Sequence, residues 1–258
     1  MRVYWLTQAE KDVPLTNDWL CAEEISCWNG FRFAKRRADW RLGRWTAKLA
    51  IAACLRWPTY PRVLAQIEIR ATPSGAPEAL LPGLTTPLAF SISHRAGAAM
   101  CAVSPIRMKL GCDLEIVEPR SDAFATDYFT PEEQSLVTRV PRADRAAFLA
   151  LLWSAKESAL KAMGQGLRLD TRSVAVTPLE GQPDVSGWSP LRVRCAGNQV
   201  FHGWWRNTHG FLHTVVSDPD PECPIALPVS ESAFYRRDLI DFPGTSSRNE
   251  GVPAKIGS

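Results

Sequence analysis

The sequence predicts an α+β protein built from two long helices and a larger number of short strands. Apolar residues recur at helical spacing over about 34–57 and again over about 142–163. Around these stretches lie short runs of strand length, many of them bounded by Gly, Pro, Ser or Asp. Trp45-Thr46-Ala47-Lys48 in the first helical stretch returns as Trp153-Ser154-Ala155-Lys156 in the second. Four residues fit a duplication or chance equally well, because repeats are normally recognised over several units.

In chain order, Arg2–Leu6 reads as a strand, Asn17–Trp28 as a helical stretch, and Ala34–Trp57 as a long helix stopped by Pro58. Strands are expected near Ile67–Ala71, Leu88–Ser93, Ala98–Val103 and, after a turn at Ser104–Arg107, Leu110–Val117. Thr130-Pro131-Glu132-Glu133 is a capping box with proline at the first helical position. The second long helix runs from about Arg142 to Met163 and is closed by Gly164 and Gly166. Extended segments follow at Arg172–Thr177, Leu191–Cys195, Gln199–Arg206 and Phe211–Ser217. Beyond Asp218 the pattern fades, and 218–258 reads as a loosely ordered tail.

Composition bounds the class. With 258 residues, 45% hydrophobic and 22% charged, the chain makes one large domain or two modest ones. A net charge of +3 is too small for the whole-molecule field to point to nucleic acid or membrane. The longest apolar runs, Ala146–Trp153 and Leu49–Leu55, fall short of the roughly 20 residues that cross a bilayer. The first residues lack the apolar core of a signal peptide, and seven cysteines without a C-x-x-C pair fit reduced, packed thiols. A cytoplasmic monomer is expected.

Four stretches carry candidate chemistry. In Lys109–Val117 strand alternation puts Asp113 and Glu115 on one face and Cys112, Leu114 and Ile116 on the other. Two carboxylates so placed repel by roughly 2–3 kcal/mol at an effective dielectric near 20. A solvated strand face or a hard-cation site such as one for Mg²⁺ accommodates them. In the second long helix, Leu149, Trp153, Leu160 and Met163 form an apolar seam, with Glu157 beside it and Lys161 one turn on. Glu157 and Lys161 can therefore reach one ligand or simply pair on the surface, while Lys156 points about 100° away from Glu157.

The first long helix carries a basic stripe, Arg37, Arg41, Arg44 and Lys48, about 90° from the apolar stripe. Such a stripe lines a cleft or makes a solvated face. The fourth stretch, Phe90-Ser91-Ile92-Ser93-His94-Arg95, ends a strand in hydroxyl, imidazole and guanidinium groups. There is no G-x-S-x-G nucleophile elbow, Walker loop or Rossmann glycine fingerprint. His202, His209 and His213 lie in an apparent hairpin and do not have the helical setting of a metal pair.

Taken together, Phe90–His94, Gly111-Cys112-Asp113-Leu114-Glu115 and Trp153–Lys161, with Leu42-Gly43-Arg44 and Gly75-Ala76-Pro77 upstream, resemble the 4′-phosphopantetheinyl transferases of the larger, Sfp-like type. The resemblance spans about Ala34 to Ser217. It implies two similar α/β halves, each a long helix packed on a small, mainly antiparallel sheet, related by pseudo-twofold symmetry. The halves would be 1–105 and 106–217, with coenzyme A and Mg²⁺ at their seam. By resemblance, Asp113, Glu115 and Glu157 hold the metal and Lys161 meets the coenzyme pyrophosphate. Arg44, Ser93 and His94 hold the 3′-phosphoadenosine end, and Arg70 with Gly75, Ala76 and Pro77 lines the adenine region. Ala76 departs from the family, which commonly has lysine there. Glu157 is the candidate base. The implied partner is a serine of an acyl or peptidyl carrier protein. Two rivals are another Mg²⁺-dependent nucleotide phosphotransferase, which would prefer ATP, and a noncatalytic module that binds a carrier protein without modifying it.

Overall fold

The computed structural model describes residues 1–83, 88–164 and 169–228. Gly166 and residues 229–258, on which part of a helix stop and most of the tail were read, lie outside the described residues. The elements in order are β1 (Tyr4–Ala9), α1 (Ala22–Asn29), α2 (Ala34–Cys54), α3 (Pro61–Leu64), β2 (Glu68–Ala71), β3 (Pro77–Leu80), β4 (Ala89–Arg95), β5 (Ala98–Ser104) and β6 (Lys109–Ile116). There follow α4 (Asp122–Tyr128), α5 (Pro131–Arg139), α6 (Arg145–Ala162), β7 (Val174–Pro178), β8 (Ser189–Cys195), β9 (Val200–Thr208), β10 (Phe211–Asp218) and β11 (Ile225–Ala226).

Two sheets organise these elements. The first has the order β11-β1-β5-β4 and the second β6-β10-β9-β8-β7; β2 and β3 form a separate hairpin. All pairings are antiparallel except that of β11 with β1. Alternation along β5 explains the layering: Cys101 and Val103 join the core under α2 with Trp45, Leu49 and Ile51, while Met100 and Ala102 turn the other way. There they meet Leu110, Cys112 and Leu114 of β6 and Val215 of β10. On the second sheet, Leu212 and Val216 of β10 face α6 with Leu149, Leu152 and Leu160. Each long helix thus covers one sheet, and a third apolar cluster joins the two sheets. Among the described residues, no helix is long and apolar enough to cross a membrane. All seven cysteines are free thiols.

The four-residue echo acquires a physical meaning here. Lys48 and Lys156, its two lysines, have no exposed surface. Lys48 Nζ meets Glu24 Oε2 at 2.5 Å and donates to the carbonyls of Trp19 and Leu64. Lys156 Nζ meets Glu133 Oε2 at 2.8 Å and donates to the carbonyls of Thr171 and Val174. Both glutamates occupy the third position of a short helix and accept the backbone N–H of its cap residue, Cys21 for Glu24 and Thr130 for Glu133. The second oxygen of each accepts an N–H from the start of a strand, Ile69 in β2 and Val176 in β7. One arrangement therefore occurs twice, joining a short helix, a long helix and a strand through one buried ion pair.

The basic stripe of α2 is largely consumed by such internal duties, which corrects its reading as a cleft lining. Lys48 is buried, Arg41 donates to the carbonyls of Pro14 and Thr16, and Arg37 donates to the carbonyl of Phe31. The Arg41 bonds tie α2 to the irregular segment before α1. That segment is also where the expected helix over 17–28 starts late: only Ala22–Asn29 is helical, and Leu20 N–H closes a turn on Asn17.

The tail reading is corrected as well. Residues 219–228 return along β1, with Glu222, Ile225 and Leu227 N–H groups donating to Met1, Val3 and Trp5 carbonyls. Trp204 Nε1 donates to Pro221 O at 3.0 Å, fastening the same strap to the second sheet. Isolated apolar residues hid this strand because backbone pairing, not side-chain periodicity, holds it.

Two stability tests follow. Lys156→Met and Lys48→Met each leave a buried carboxylate without its cation and should each cost about 3–5 kcal/mol in urea unfolding. A chain ending after 218 lacks a strand that one ending after 228 keeps, and should melt roughly 5 °C or more below it.

Candidate active site

The two sheets meet where β4 and β6, each an edge strand of its sheet, run beside one another. Hydroxyls bridge them. Ser91 Oγ accepts the Cys112 N–H at 3.0 Å, and Ser93 Oγ donates to Asp113 Oδ1 at 2.7 Å. Helix α6 presses on β6 at Gly111, where a Cβ would fall 1.8 Å from the Ser158 carbonyl oxygen. Small polar residues allow the same closeness on β10, since Ser154 and Ser158 both hydrogen-bond Thr214 Oγ1. This contact brings Glu157, next to Ser158, and Lys161, one turn after it, to the carboxylates of β6.

Asp113 is the node of the site. Only 5% exposed, it accepts from Ser93 and from Lys161 Nζ (2.7 Å) on Oδ1, and Lys161 also donates to the Cys112 carbonyl at 3.1 Å. Its other oxygen, Oδ2, is buried and has no hydrogen-bond partner. A buried carboxylate oxygen left so is costly unless a cation meets it. Burial works against the Lys161 ammonium, but Asp113 beside it, with Cys112 adding, lifts its pKa above the ordinary lysine value.

Burial pushes the Glu157 carboxyl up to about 7; Asp113 and Glu115 add to this and Lys161 opposes it. One turn earlier on α6, Trp153 packs on Phe124 and Tyr128 with ring centroids 5.4 and 4.9 Å away. Glu115 is also raised, by burial and Asp113, against the pull of Arg95 and Arg120. Those two arginines lie 3.6 and 3.0 Å from its Oε2. Neither arginine was read from the sequence, where Arg95 was only noted beside His94 and Arg120 follows the strand by a turn.

Three carboxylates with mutually raised or unsatisfied charge fit a hard divalent cation of the Mg²⁺ kind, which takes carboxylate oxygens with water and phosphate completing its shell. They do not form a closed cage. Among the described residues, the group whose ligand atoms all lie within 4.8 Å of one another is Cys21, Glu23 and Glu68, at the start of α1 and on β2. His213, set aside as a ligand, is buried against Trp5 at 5.8 Å between ring centroids.

Two cavities flank this node. One of about 1170 Å³ opens between the β2–β3 hairpin, β4, the start of β6 and the end of α6, and Gly75, Ala76, Pro77 and Lys161 line it. Gly75 holds φ at +90°, which its turn requires, and donates to the Thr72 carbonyl at 2.8 Å. The other, of about 610 Å³, is walled by Phe33, Lys35, Arg36, Trp40 and His94. Desolvation holds His94 below its ordinary pKa; Asp39 opposes this and Lys161 and Lys35 reinforce it.

The structure thus gathers Ser93, Asp113, Glu115, Glu157 and Lys161 at the seam, with His94 and Gly75–Pro77 on the flanking cavities. Arg44 stands apart. It is 16% exposed, 3.9 Å from Glu24, with its guanidinium 4.8 Å from the Trp40 ring centroid. Arg70 is paired with Glu78 at 3.2 Å.

Known proteins supply an independent comparison. Residues 109–215 match the family model described as the 4′-phosphopantetheinyl transferase superfamily. The chain is 29% identical over 178 residues to the 4′-phosphopantetheinyl transferase HetI of Nostoc, covering 68% of this chain and 73% of that one. It is 33% identical over 87 residues to a 4′-phosphopantetheinyl transferase of Bacillus subtilis, covering 34% of this chain and 38% of the relative. A holo-[acyl-carrier-protein] synthase of Helicobacter pylori, solved in complex with coenzyme A, aligns at 19% identity with a TM-score of 0.32, covering 39% of this chain and 96% of that one. The matched stretch begins with β6 and its acids, includes the whole of α6 and ends in β10, so the part of the chain that is similar to the 4′-phosphopantetheinyl transferase superfamily is the part that carries Asp113, Glu115, Glu157 and Lys161.

Proposed function

We propose that the protein moves the 4′-phosphopantetheine group of coenzyme A to a serine of an acyl or peptidyl carrier protein, in a Mg²⁺-dependent reaction that releases 3′,5′-ADP. The observation that carries this reading is the Asp113 node. A buried carboxylate with one orphaned oxygen sits at the seam of two halves, holds a lysine, and adjoins a cavity large enough for a nucleotide. In this reading the halves, 1–105 and 106–217, are related by pseudo-twofold symmetry, and the twin lysine–glutamate pairs support it.

Asp113, Glu115 and Glu157 would hold the metal, which when bound supplies electrostatic stabilisation to the phosphate oxygens. Lys161, kept protonated by Asp113, neutralises charge on the same phosphate group. The serine hydroxyl forms the new P–O bond at the β-phosphorus of coenzyme A. The bond from that phosphorus to the oxygen bridging the two phosphates breaks, and 3′,5′-ADP carries that oxygen away. The serine proton passes to the Glu157 carboxylate, whose affinity for a proton burial raises above that of an ordinary glutamate. Ser93 orients Asp113 through its hydrogen bond. His94, Arg44 by its exposed edge, and Arg70 with Gly75, Ala76 and Pro77 are assigned to the 3′-phosphoadenosine end.

Incubating the protein with coenzyme A, Mg²⁺ and an apo carrier protein should add one phosphopantetheine to the carrier by mass spectrometry. Transfer of phosphate from ATP, or carrier binding with no mass gain, would replace this reading. Asp113→Asn should retain the fold by circular dichroism and lower turnover by about 10²-fold or more; near-normal turnover at low Mg²⁺ would remove the metal role.

Glu157 gives a pH signature in chelator-treated protein. Its folded pKa, about 7, lies above the ordinary value of 4.5. The protonated acid is therefore the form favoured by folding, and the stability it confers is full below pH 4.5 and is lost as pH rises through 7. Glu157→Gln should match the parent near pH 4 and exceed it by about 1–2 kcal/mol at pH 8, after allowance for partial exposure. Its turnover should fall sharply, and near-normal turnover would exclude Glu157 as the base.

A further inference from the structure

The larger cavity needs positive charge if it is to hold a phosphate-bearing ligand, yet most cations near it are committed. Lys161 is bonded to Asp113. Lys109 reaches Gln199 Oε1 at 2.5 Å and lies 6.0 Å from the Phe201 ring centroid, drawn toward β9. Arg70 pairs with Glu78, and Glu78 itself lines the cavity with a carboxylate. Position 76 also lines the cavity and carries only the methyl group of alanine.

Arg107 lines the same cavity from the opposite side. It sits in the link between β5 and β6, one of the covalent joints of the two sheets, and is exposed. Among the described residues it makes no hydrogen bond, ion pair or ring contact. Recruiting it breaks no existing contact and costs only the ordering of its side chain. A guanidinium also matches a phosphate in a bidentate, charge-assisted way that an ammonium does not.

We propose that Arg107 contacts a phosphate of the coenzyme in the seam cavity and supplies the cation that Ala76 does not. The inference rests on the coenzyme A reading given above. Arg107 stands before the start of β6, and Asp113 lies four residues into that strand, roughly 13 Å along it at about 3.3 Å per residue. Arg107 is thus remote from the reacting phosphorus and acts on binding, not on the chemical step.

The test is two-substrate kinetics with calorimetry on Arg107→Ala, Arg107→Lys and Arg107→Glu. Arg107→Ala should raise KM for coenzyme A about five-fold, a typical size for one partly solvated charge-assisted contact, with kcat within about two-fold and KM for the carrier unchanged. Arg107→Lys should recover part of the loss and Arg107→Glu should deepen it. The same series with 3′-dephospho-coenzyme A identifies the phosphate. Loss of the Arg107 effect there marks the 3′-phosphate, and its persistence marks the pyrophosphate. An unchanged KM for coenzyme A, or a shift confined to the carrier, overturns the proposal. Calorimetry separates the two readings. A parent protein that binds coenzyme A in an Arg107-dependent way but transfers nothing keeps this inference and removes the transfer reading, whereas one that binds no coenzyme A removes both.

Discussion

Everything in this structure is hung on a buried lysine that meets a buried glutamate. Neither residue would be tolerated alone, because an unpaired charge inside a protein costs several kcal/mol. Paired, and with the remaining ammonium protons and both carboxylate oxygens bonded to backbone groups, they define a rigid junction. Burial pulls the ammonium pKa of Lys48 and Lys156 down and the facing glutamate holds it up, so each pair survives as an ion pair only while its geometry is kept. The junction fixes how far each long helix is turned about its axis. In α6 that rotation decides which residues look at β6.

The two junctions differ in the next residue. After Lys48 comes Leu49, wholly buried in the core beneath α2, and after Lys156 comes Glu157, part-exposed at the seam. Equivalent scaffolding thus supports an apolar contact in one half and a titrating acid in the other. The acids and Lys161 gather on β6 and α6, while β4 contributes Ser93 and His94 and the β2–β3 hairpin its glycine turn. The seam between β4 and β6 thus has walls from both sheets, which neither sheet has by itself.

Much of this was legible in the sequence because it is periodic or punctuated. Strand alternation placed Asp113 and Glu115 on one face, helical spacing put Glu157 and Lys161 together, and Thr130-Pro131-Glu132-Glu133 marked the start of α5. The true role of Glu133 was hidden, since a capping glutamate looks the same whether its second oxygen faces water or a buried lysine 23 residues on. The cations of α2 misled for a related reason: helical spacing reports which face a residue occupies, not whether that face is covered by Trp19, Trp28 or a carbonyl of a distant loop. The short helices Asp122–Tyr128 and Pro61–Leu64 and the strap at Ile225–Ala226 were missed because each is too short to show a period.

The strap has a consequence for how the chain is made. Synthesis runs from the amino end, and β1, α2, β4 and β5 emerge long before residue 225. The first sheet must nevertheless wait for β11 to cover the outer edge of β1, a contact separated by more than two hundred residues. Until then it exposes an open strand edge of the kind that pairs with other chains. The first sheet is therefore completed after the second although most of its strands emerge earlier, because β11 follows β10 in the chain.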